Sequence, residues 1–314
     1  MPVRSKWQSL PTEAINPATL ALDKQSAADI VEEMLAEDRK MLAAVQRDKA
    51  RIAVGIDIIT QALRKGGRII FVGAGTSGRL GIVESAEMPP TFGTSPELVQ
   101  AIMAGGKSAI LKPKEGVEDN YEEGARAITR LRPAKHDVVV GVSASGMTPF
   151  VRGALTRARR ASSKIIFVTC DPRTELQTFV DLTIAPGVGP EVIAGSTRLK
   201  AGTATKIVLN MLTTGAMVRI GKTYGNLMVD VQTGSEKLRD RARRIITIVT
   251  GLEYDETDKL LRRAHWNVKA AIVMQKSGLT YPQSLSRLRR AHNSVREAIG
   301  EDVEARLKEL LGIG

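Results

Sequence analysis

Two short segments of small and hydroxyl-bearing residues have the composition of anion-binding loops. The first is Gly73-Ala-Gly-Thr-Ser-Gly78, and the second is Ser143-Ala-Ser-Gly-Met-Thr148. Each follows a short apolar run, at the point where a strand is expected to lead into a helix. Backbone N–H groups and hydroxyls at such a helix N-terminus bind anions. Two loops of this kind predict a site for a phosphate group and for the polar molecule that carries it.

The second loop is the more specific of the two, because it places the hydroxyls of Ser143, Ser145 and Thr148 on one turn that opens a helix. Hydroxyls beside helix-terminal N–H groups form a good cradle for phosphate. The loop lacks the Gly-Lys-Ser/Thr sequence of a P-loop, which argues against a nucleoside triphosphate. The first loop has the glycine spacing of a dinucleotide fingerprint, but no acidic residue follows about 20 positions later at a strand end. A glycine-rich turn by itself is equally typical of a purely structural connection.

Strands and helices alternate around these loops, which predicts an α/β fold with a parallel sheet covered by helices on both faces. Pro89 and Pro90 are expected to end the helix that follows the first loop. The predicted strands are 68–72, 137–142, 164–169 and 182–184. The predicted helices are about 79–86, 120–131, 149–160 and 197–220.

Both ends of the chain are predicted to be helical. Helical periodicity covers about 26–47 and 50–65. Near the other end, the sequence of residues 251–265 is similar to that of residues 278–292. A repeat of about 27 residues favours two short helix–turn–helix units. The chain is therefore divided into an N-terminal helical segment (1–55), a phosphate-binding domain (56–245) and a C-terminal helical subdomain (246–314).

Composition limits the classes of function. Hydrophobic residues make up 43% of the chain, but no apolar run reaches the roughly 18 residues that a membrane-spanning helix needs. The net charge of +12 suggests nucleic-acid binding, yet aromatic residues are only 4% and the basic residues fall at helical spacing. Attraction of anionic metabolites is the preferred interpretation. The N-terminus lacks the apolar segment of a secretory signal, and the single cysteine, Cys170, is most simply a reduced core thiol in a cytoplasmic protein.

Longer stretches around the loops resemble a known family. The two loops together are similar to those of the sugar isomerase (SIS) fold, a flavodoxin-like parallel-sheet sandwich that binds phosphosugars. Further motifs narrow the resemblance to the N-acetylmuramic acid 6-phosphate etherases, over about residues 10–299. These motifs are Gly73-Ala-Gly-Thr-Ser-Gly-Arg-Leu-Gly81, Glu87-Met-Pro-Pro-Thr-Phe-Gly93, Tyr224-Gly-Asn-Leu-Met-Val-Asp230 and the segment 189–204.

The resemblance implies a lyase that converts N-acetylmuramic acid 6-phosphate to N-acetylglucosamine 6-phosphate and D-lactate during peptidoglycan recycling. It also implies a cytoplasmic homodimer without a metal or organic cofactor, and neither nucleic acid nor membrane is expected as a partner. The chemistry requires two carboxyl groups in different protonation states. In the open-chain sugar the aldehyde acidifies the C2 hydrogen, so a carboxylate can remove it. A carboxylic acid can then protonate the departing lactate, and water adds to the unsaturated aldehyde.

The resemblance assigns these roles to individual residues. Glu87 is implied to be the acid that protonates lactate, and Glu118 is implied to be the base at C2. The phosphate is expected on Ser143, Ser145 and Thr148. The other expected substrate contacts are Thr76 and Ser77 facing the sugar, Ser196, Thr197 and Lys200 lining the same cavity, and Glu191 assisting ring opening.

Simpler interpretations stay open for the acidic residues. An acidic residue near a helix start, such as Glu118, ordinarily complements the helix dipole. Glu87 beside Glu84 is also typical of a solvated pair, and Glu191 of a surface loop. The alternative functions are a non-catalytic SIS-type phosphosugar sensor and an aldose–ketose isomerase. The presence of both Glu87 and Glu118 favours the etherase. Met147 stands where the resemblance predicts an arginine, which bears on substrate specificity.

Overall fold

Short apolar runs form the strands of one five-stranded sheet in the computed structural model, which describes Trp7 and residues 10–313. The strands are β1 (Ile69–Gly73), β2 (Val99–Met103), β3 (Val138–Val142), β4 (Lys164–Val168) and β5 (Leu182–Ile184). All neighbouring strands are parallel, in the order β2-β1-β3-β4-β5. Every residue of β1 and β3 is buried, as is typical of the centre of a parallel sheet. The α/β prediction is confirmed, although β2 was not predicted.

The register of the sheet brings the two predicted loops together. β1 pairs with β3, and Gly73 at the end of β1 lies opposite Val142 at the end of β3. The chain therefore leaves two adjacent strands at the same carboxyl edge of the sheet. In open parallel sheets this edge is where ligands bind.

Among the described residues, seven helices precede the sheet, connect its strands or directly follow its last strand. Two of them begin at a residue whose own side chain caps the helix, since Ser26 accepts the N–H of Asp29 and Asn120 accepts the N–H of Glu123. The helices are α1 (Ala27–Arg47), α2 (Lys49–Arg64), α3 (Gly75–Phe92), α4 (Ser108–Leu111), α5 (Tyr121–Arg130), α6 (Pro149–Arg160) and α7 (Lys200–Arg219). Short 3-10 turns occupy Pro11–Glu13, Pro17–Thr19, Leu22–Lys24, Val117–Asp119 and Glu175–Thr178.

The helix after β1 differs from the prediction at both ends. α3 begins at Gly75, so most of the first predicted loop is the first turn of this helix. It then continues through Pro89 and Pro90 to Phe92, which corrects the expectation that the prolines end it. The two prolines have no backbone N–H, so the carbonyls of Ser85 and Ala86 lose the helical hydrogen bonds that residues 89 and 90 would otherwise donate. Phe92 is buried on this last turn, and its burial offsets part of that cost.

The helix before residue 220 also begins later than predicted. α7 starts at Lys200 rather than near Thr197. The preceding residues form turns in which the N–H of Thr197 bonds to the carbonyl of Gly195 and the N–H of Leu199 to that of Ser196.

The described residues form two compact units. The first contains the residues up to Ala86 together with Glu97–Thr214, and includes the sheet. Against the sheet, α5 and α6 bury a cluster that includes Ile128, Phe150 and Val151. The second contains Glu87–Pro96 and the residues from Gly215 onward. The predicted division at residues 55 and 245 stays a prediction.

The C-terminal part of the second unit is helical throughout and contains the predicted repeat. The first copy is α9 (Tyr254–Arg263) with α10 (Val268–Ser277), and the second is α11 (Tyr281–Arg290) with α12 (Val295–Ile299). Before them lies α8 (Glu236–Thr250), and after them lies α13 (Glu304–Leu311). Both copies have a capping box, and both turn through two residues of positive φ, His265-Trp266 and His292-Asn293. In the described part of the chain no helix is long and apolar enough to cross a bilayer.

Candidate functional site

A cavity of about 360 Å³ in the first unit contains the connections that follow β1 and β3 in its wall. Both predicted loops contribute to it, and so does the segment between β2 and α5 that carries Glu118. Polar and apolar groups contribute about equally to its wall. The predicted binding residues that line this cavity are Thr76, Ser77, Ser143, Ser145, Thr148 and Thr197.

The turn between β1 and α3 is tight because two glycines meet across it. A Cβ on Gly73 would lie 2.6 Å from the backbone nitrogen of Gly78, which no side chain could tolerate without movement of the backbone. This close approach presents Thr76 and Ser77 on the first turn of α3, at the cavity wall. The N-terminal N–H groups of such a helix favour an anion.

The loop between β3 and α6 is held by its own hydroxyls and by its neighbours. Ser143 and Thr148 place their hydroxyl oxygens 2.7 Å apart. Gly146 adopts a φ of +75°, and its carbonyl accepts a hydrogen bond of 3.1 Å from Thr174 Oγ1. Ser145 lies between the bonded hydroxyls and lines the cavity. The loop is therefore fixed before any ligand binds.

Glu118 belongs to the 3-10 turn Val117–Asp119, which follows Gly116 in the left-handed conformation. Its side chain is exposed and lines the cavity together with the hydroxyl loop. A carboxylate and the loop that the sequence predicts to bind an anion therefore line one cavity. A general base must lie within hydrogen-bond reach of the proton that it removes, and a shared cavity is compatible with that requirement.

Arg79 holds the segment between β2 and Glu118. Its Nε donates to the carbonyl of Ile110 and its Nη2 to the carbonyl of Ala109, each at 2.8 Å. These bonds join the second turn of α3 to α4, and Arg79 also lines the cavity. Sequence reasoning did not assign Arg79 a role, although it lies inside the first motif.

Three further charged residues of the wall were also missed. Lys114 and Glu115 precede Glu118 in the same segment, so their proximity to that residue was a usable signal. Glu13 comes from the N-terminal part of the chain, far from both loops in sequence. No local pattern in the sequence connects it to this cavity.

Three of the expected binding residues lie outside the described wall of the cavity: Glu191, Ser196 and Lys200. The carboxylate of Glu191 is completely buried and accepts the N–H groups of Lys200 and Ala201, each at 2.9 Å. It thus caps the start of α7 rather than lying on a surface loop. Burial raises the pKa of Glu191, although the two N–H bonds act in the opposite direction. Direct contact of these three residues with a substrate stays a prediction.

The side chain of Lys200 is buried and forms an ion pair with Glu37 on α1. Burial by itself would raise the pKa of Glu37, but hydrogen bonds and charges from Lys200 and Lys40 outweigh it, and the pKa is lowered. The pair joins α1 to the start of α7. Because both charges are buried, removal of either one would leave the other uncompensated.

Glu84 and Glu87 lie one helical turn apart on α3 and have different surroundings. Glu84 is buried, and its carboxylate accepts hydrogen bonds from Asn210 and from Thr213, the latter at 2.7 Å. Glu87 is exposed and falls in the second unit. The two residues therefore do not form a solvated pair, and the acid role of Glu87 stays a prediction.

Cys170 is buried two residues after the end of β4, where its thiol donates to the carbonyl of Ala201 at 3.8 Å. Burial, and secondarily the charge of Glu191, raises the pKa of this thiol to about 12. A thiol with such a pKa is a core group and not a nucleophile at neutral pH. Within the described ranges, no group of three or more His, Cys, Asp or Glu residues could hold a metal ion.

Comparisons with known proteins found similar proteins in both sequence and structure. The model of the glucokinase regulatory protein N-terminal SIS domain matches residues 51–159. Among solved structures, a phosphoheptose isomerase from Francisella tularensis is 14% identical with a TM-score of 0.46, and covers 60% of this chain and 100% of its own. The Vibrio vulnificus NanR protein complexed with ManNAc-6P is 16% identical with a TM-score of 0.43, and covers 75% of this chain and 74% of its own.

Curated relatives are much more similar in sequence. The N-acetylmuramic acid 6-phosphate etherase of Trichodesmium erythraeum is 48% identical over 85% of this chain and 87% of its own. The etherase of Gloeobacter violaceus is 50% identical over 85% of this chain and 88% of its own. The etherase of Salinibacter ruber is 49% identical over 85% of this chain and 86% of its own. With identity at this level along most of both chains, the protein belongs to the N-acetylmuramic acid 6-phosphate etherase family.

Proposed function

We propose that this protein cleaves the D-lactyl ether of N-acetylmuramic acid 6-phosphate in peptidoglycan recycling, as a carbon–oxygen lyase. The products are N-acetylglucosamine 6-phosphate and D-lactate. The observation that carries this proposal, beside family membership, is the single cavity that combines the hydroxyl loop with Glu118. The loop suits the phosphate, and the carboxylate suits the proton at C2.

The phosphate is bound by Ser143, Ser145 and Thr148 at the start of α6. Thr76 and Ser77 at the start of α3 face the sugar. Both helices direct their N-terminal N–H groups toward the carboxyl edge of the sheet, so the field of each helix favours the dianion. The wall also contains Arg79 and Lys114, whose positive charges add to this attraction.

Glu118 removes the C2 proton of the open-chain sugar. The electron pair left at C2 is delocalised into the adjacent aldehyde, and the C3–O bond to lactate then breaks. Arg79 positions Glu118 indirectly, because it fixes the α4 segment that leads to the carboxylate. A base needs such positioning, since proton transfer requires its oxygen within hydrogen-bond reach of the substrate.

Glu87 protonates the lactate oxygen as it leaves C3. Water then adds to the resulting unsaturated aldehyde, placing a hydroxyl on C3 and a hydrogen on C2. The overall change is the addition of one water molecule across the ether. The resemblance of the segment Glu87–Gly93 to the family motif supports this assignment.

The protein is further proposed to be a cytoplasmic homodimer, as the resemblance implies. Sedimentation equilibrium of the purified chain, whose mass is 33.9 kDa, tests the dimer directly. A single species near that mass at micromolar concentration would contradict it.

The decisive experiment is incubation with N-acetylmuramic acid 6-phosphate in isotopic water. We expect release of D-lactate, deuterium at C2 of the sugar in D2O, and in 18O water no label in the lactate hydroxyl, because the C3–O bond is the one that breaks. Binding of the phosphosugar without any lactate release would instead favour a sensor. Conversion of an aldose phosphate to a ketose phosphate would favour an isomerase.

A further inference from the structure

The N-terminal part of the chain contributes a carboxylate to the wall of the phosphosugar cavity. Glu13 ends the 3-10 turn Pro11–Glu13, and its exposed side chain lines the same cavity as Ser145 and Glu118. The proposed chemistry at C2 and C3 does not use this residue.

The segment that carries Glu13 is anchored to the connection ahead of α7. The N–H of Gly195 donates to the carbonyl of Thr12 at 3.1 Å, and Thr19 Oγ1 donates to the carbonyl of Val192 at 2.9 Å. Asn16 is buried and donates from Nδ2 to the carbonyl of Pro190 at 3.4 Å. Because Thr12 is completely buried, the backbone that leads into Glu13 is fixed.

Gly195 leaves room for the carboxylate. It adopts a φ of +77°, and a Cβ at this position would lie 2.9 Å from Glu13 Oε2. The next wall residue along the chain, Thr197, is two positions further on. The carboxylate therefore lies against the backbone beside residues that already face the cavity.

The oxygens of Glu13 have no ion-pair or side-chain hydrogen-bond partner among the described residues. Of the two cationic groups of the wall, Arg79 donates to the carbonyls of Ala109 and Ile110, and Lys114 donates to the carbonyl of Gly105. An ionised carboxylate only accepts hydrogen bonds, and it has room for about four of them. The dianionic phosphate group of a phosphosugar offers it no donor, whereas sugar hydroxyls do.

We propose that Glu13 is a substrate-binding residue that accepts hydrogen bonds from hydroxyl groups of the sugar. This inference rests on the proposed function, since it takes the ligand of the cavity to be a phosphosugar. Recognition is then divided between two sets of groups. The hydroxyl loop after β3 binds the phosphate, and the carboxylate from the N-terminal segment binds the uncharged part of the ligand.

Calorimetric titration with two probes separates these contributions. The probes are N-acetylglucosamine 6-phosphate and inorganic phosphate, and the variants are Glu13→Gln and the control Glu122→Gln, an exposed residue on α5. Loss of a charge-assisted hydrogen bond should weaken binding of the sugar phosphate to Glu13→Gln about tenfold. Its affinity for inorganic phosphate should stay the same, which also shows that the variant is folded. Glu122→Gln should bind both probes as the unchanged protein does.

A second variant tests the placement of the carboxylate without removing it. Gly195→Ala should displace Glu13 and weaken sugar-phosphate binding in the same direction. Unchanged or tighter binding of the sugar phosphate to Glu13→Gln would overturn the inference, as would an equal loss for both probes. Since these titrations involve no turnover, a lack of lactate release would contradict the proposed function and leave this result standing.

Discussion

The hydroxyl oxygens of Ser143 and Thr148 lie 2.7 Å apart and close the loop between β3 and α6 with a hydrogen bond between side chains. Thr148 occupies the N-cap position of α6, yet its side chain makes no capping bond to the helix. Its hydroxyl instead pairs with Ser143. Ser145, between them, has no side-chain partner among the described residues and lines the cavity. The loop is preorganised by the pairing of two hydroxyls, which uses one of their two hydrogens and leaves the other, together with the hydroxyl of Ser145, for the ligand.

Replacing Ser145 with Ala should therefore reduce binding with little effect on chemistry. We expect KM for N-acetylmuramic acid 6-phosphate to rise about tenfold while kcat changes less than about twofold, since the lost hydrogen bond is present in ground state and transition state alike. Steady-state measurement of D-lactate release gives both constants. The matched control is Thr156→Ala, whose hydroxyl bonds to the carbonyl of Arg152 within α6. A fall in kcat with unchanged KM would assign Ser145 a different role.

Replacing Glu118 or Glu87 with Gln should block different steps of the reaction. Glu118→Gln should lose both C2 hydrogen exchange in D2O and lactate release, each by at least about a hundredfold, because general-base catalysis typically contributes that much. Glu87→Gln should lose lactate release but retain exchange at C2, because proton removal does not need the acid. NMR of the sugar and an enzymatic lactate assay follow the two events. If Glu87→Gln lost hydrogen exchange at C2, or if Glu118→Gln retained it, the acid and base roles assigned to these residues would be wrong.

The parallel sheet was predictable because its strands are short apolar runs separated by helical periodicity. The proximity of the two loops also followed from the sequence, since both come after strands and parallel strands end at one edge. The C-terminal end of α3 could not be predicted from the sequence. Proline ordinarily ends a helix, but packing overrides this effect at Pro89 and Pro90. The buried capping of α7 by Glu191 and the place of Glu13 depend on contacts between distant segments. Composition and spacing carry no information about such contacts.

An ion pair at the opposite edge of the sheet should make stability depend on pH. Asp137, which precedes β3, is 3% exposed and accepts bonds from the backbone N–H of Arg68 at 2.9 Å and from its Nη2 at 2.6 Å. Burial by itself would raise the pKa of Asp137, but the bonds from Arg68 and from the N–H of Ala134 outweigh it and lower the pKa. A carboxyl whose pKa is lowered on folding stabilises the fold above its unfolded pKa of about 3.9, and this stability is lost as pH falls through the folded pKa.

Asp137→Asn should cost about 3 kcal/mol of unfolding free energy at pH 7, because Arg68 loses its charged partner. The difference from the unchanged protein should persist down to about pH 4 and shrink below it. Urea unfolding between pH 3 and 8 measures both curves, with the exposed Asp23→Asn as control. A constant difference across the whole range would contradict the ion-pair explanation.

Gly73→Ala should damage both stability and ligand binding, since the turn after β1 has no space for a side chain. The added Cβ would lie 2.6 Å from the nitrogen of Gly78 and 2.8 Å from the carbonyl carbon of Ser77. These are backbone atoms in the first turn of α3, so relief requires the helix start to move away from the strand. Overpacking of this kind costs about 3 kcal/mol.

The same movement would displace Thr76 and Ser77 from the cavity wall, so binding of N-acetylglucosamine 6-phosphate should weaken together with the urea midpoint. Gly234→Ala is the control, because a Cβ there meets nothing within 4 Å and its φ is not positive. If Gly73→Ala unfolds at the same urea concentration as Gly234→Ala, the close approach of β1 and α3 does not limit the turn. If Gly73→Ala is destabilised but binds the sugar phosphate normally, the first turn of α3 does not contribute to recognition.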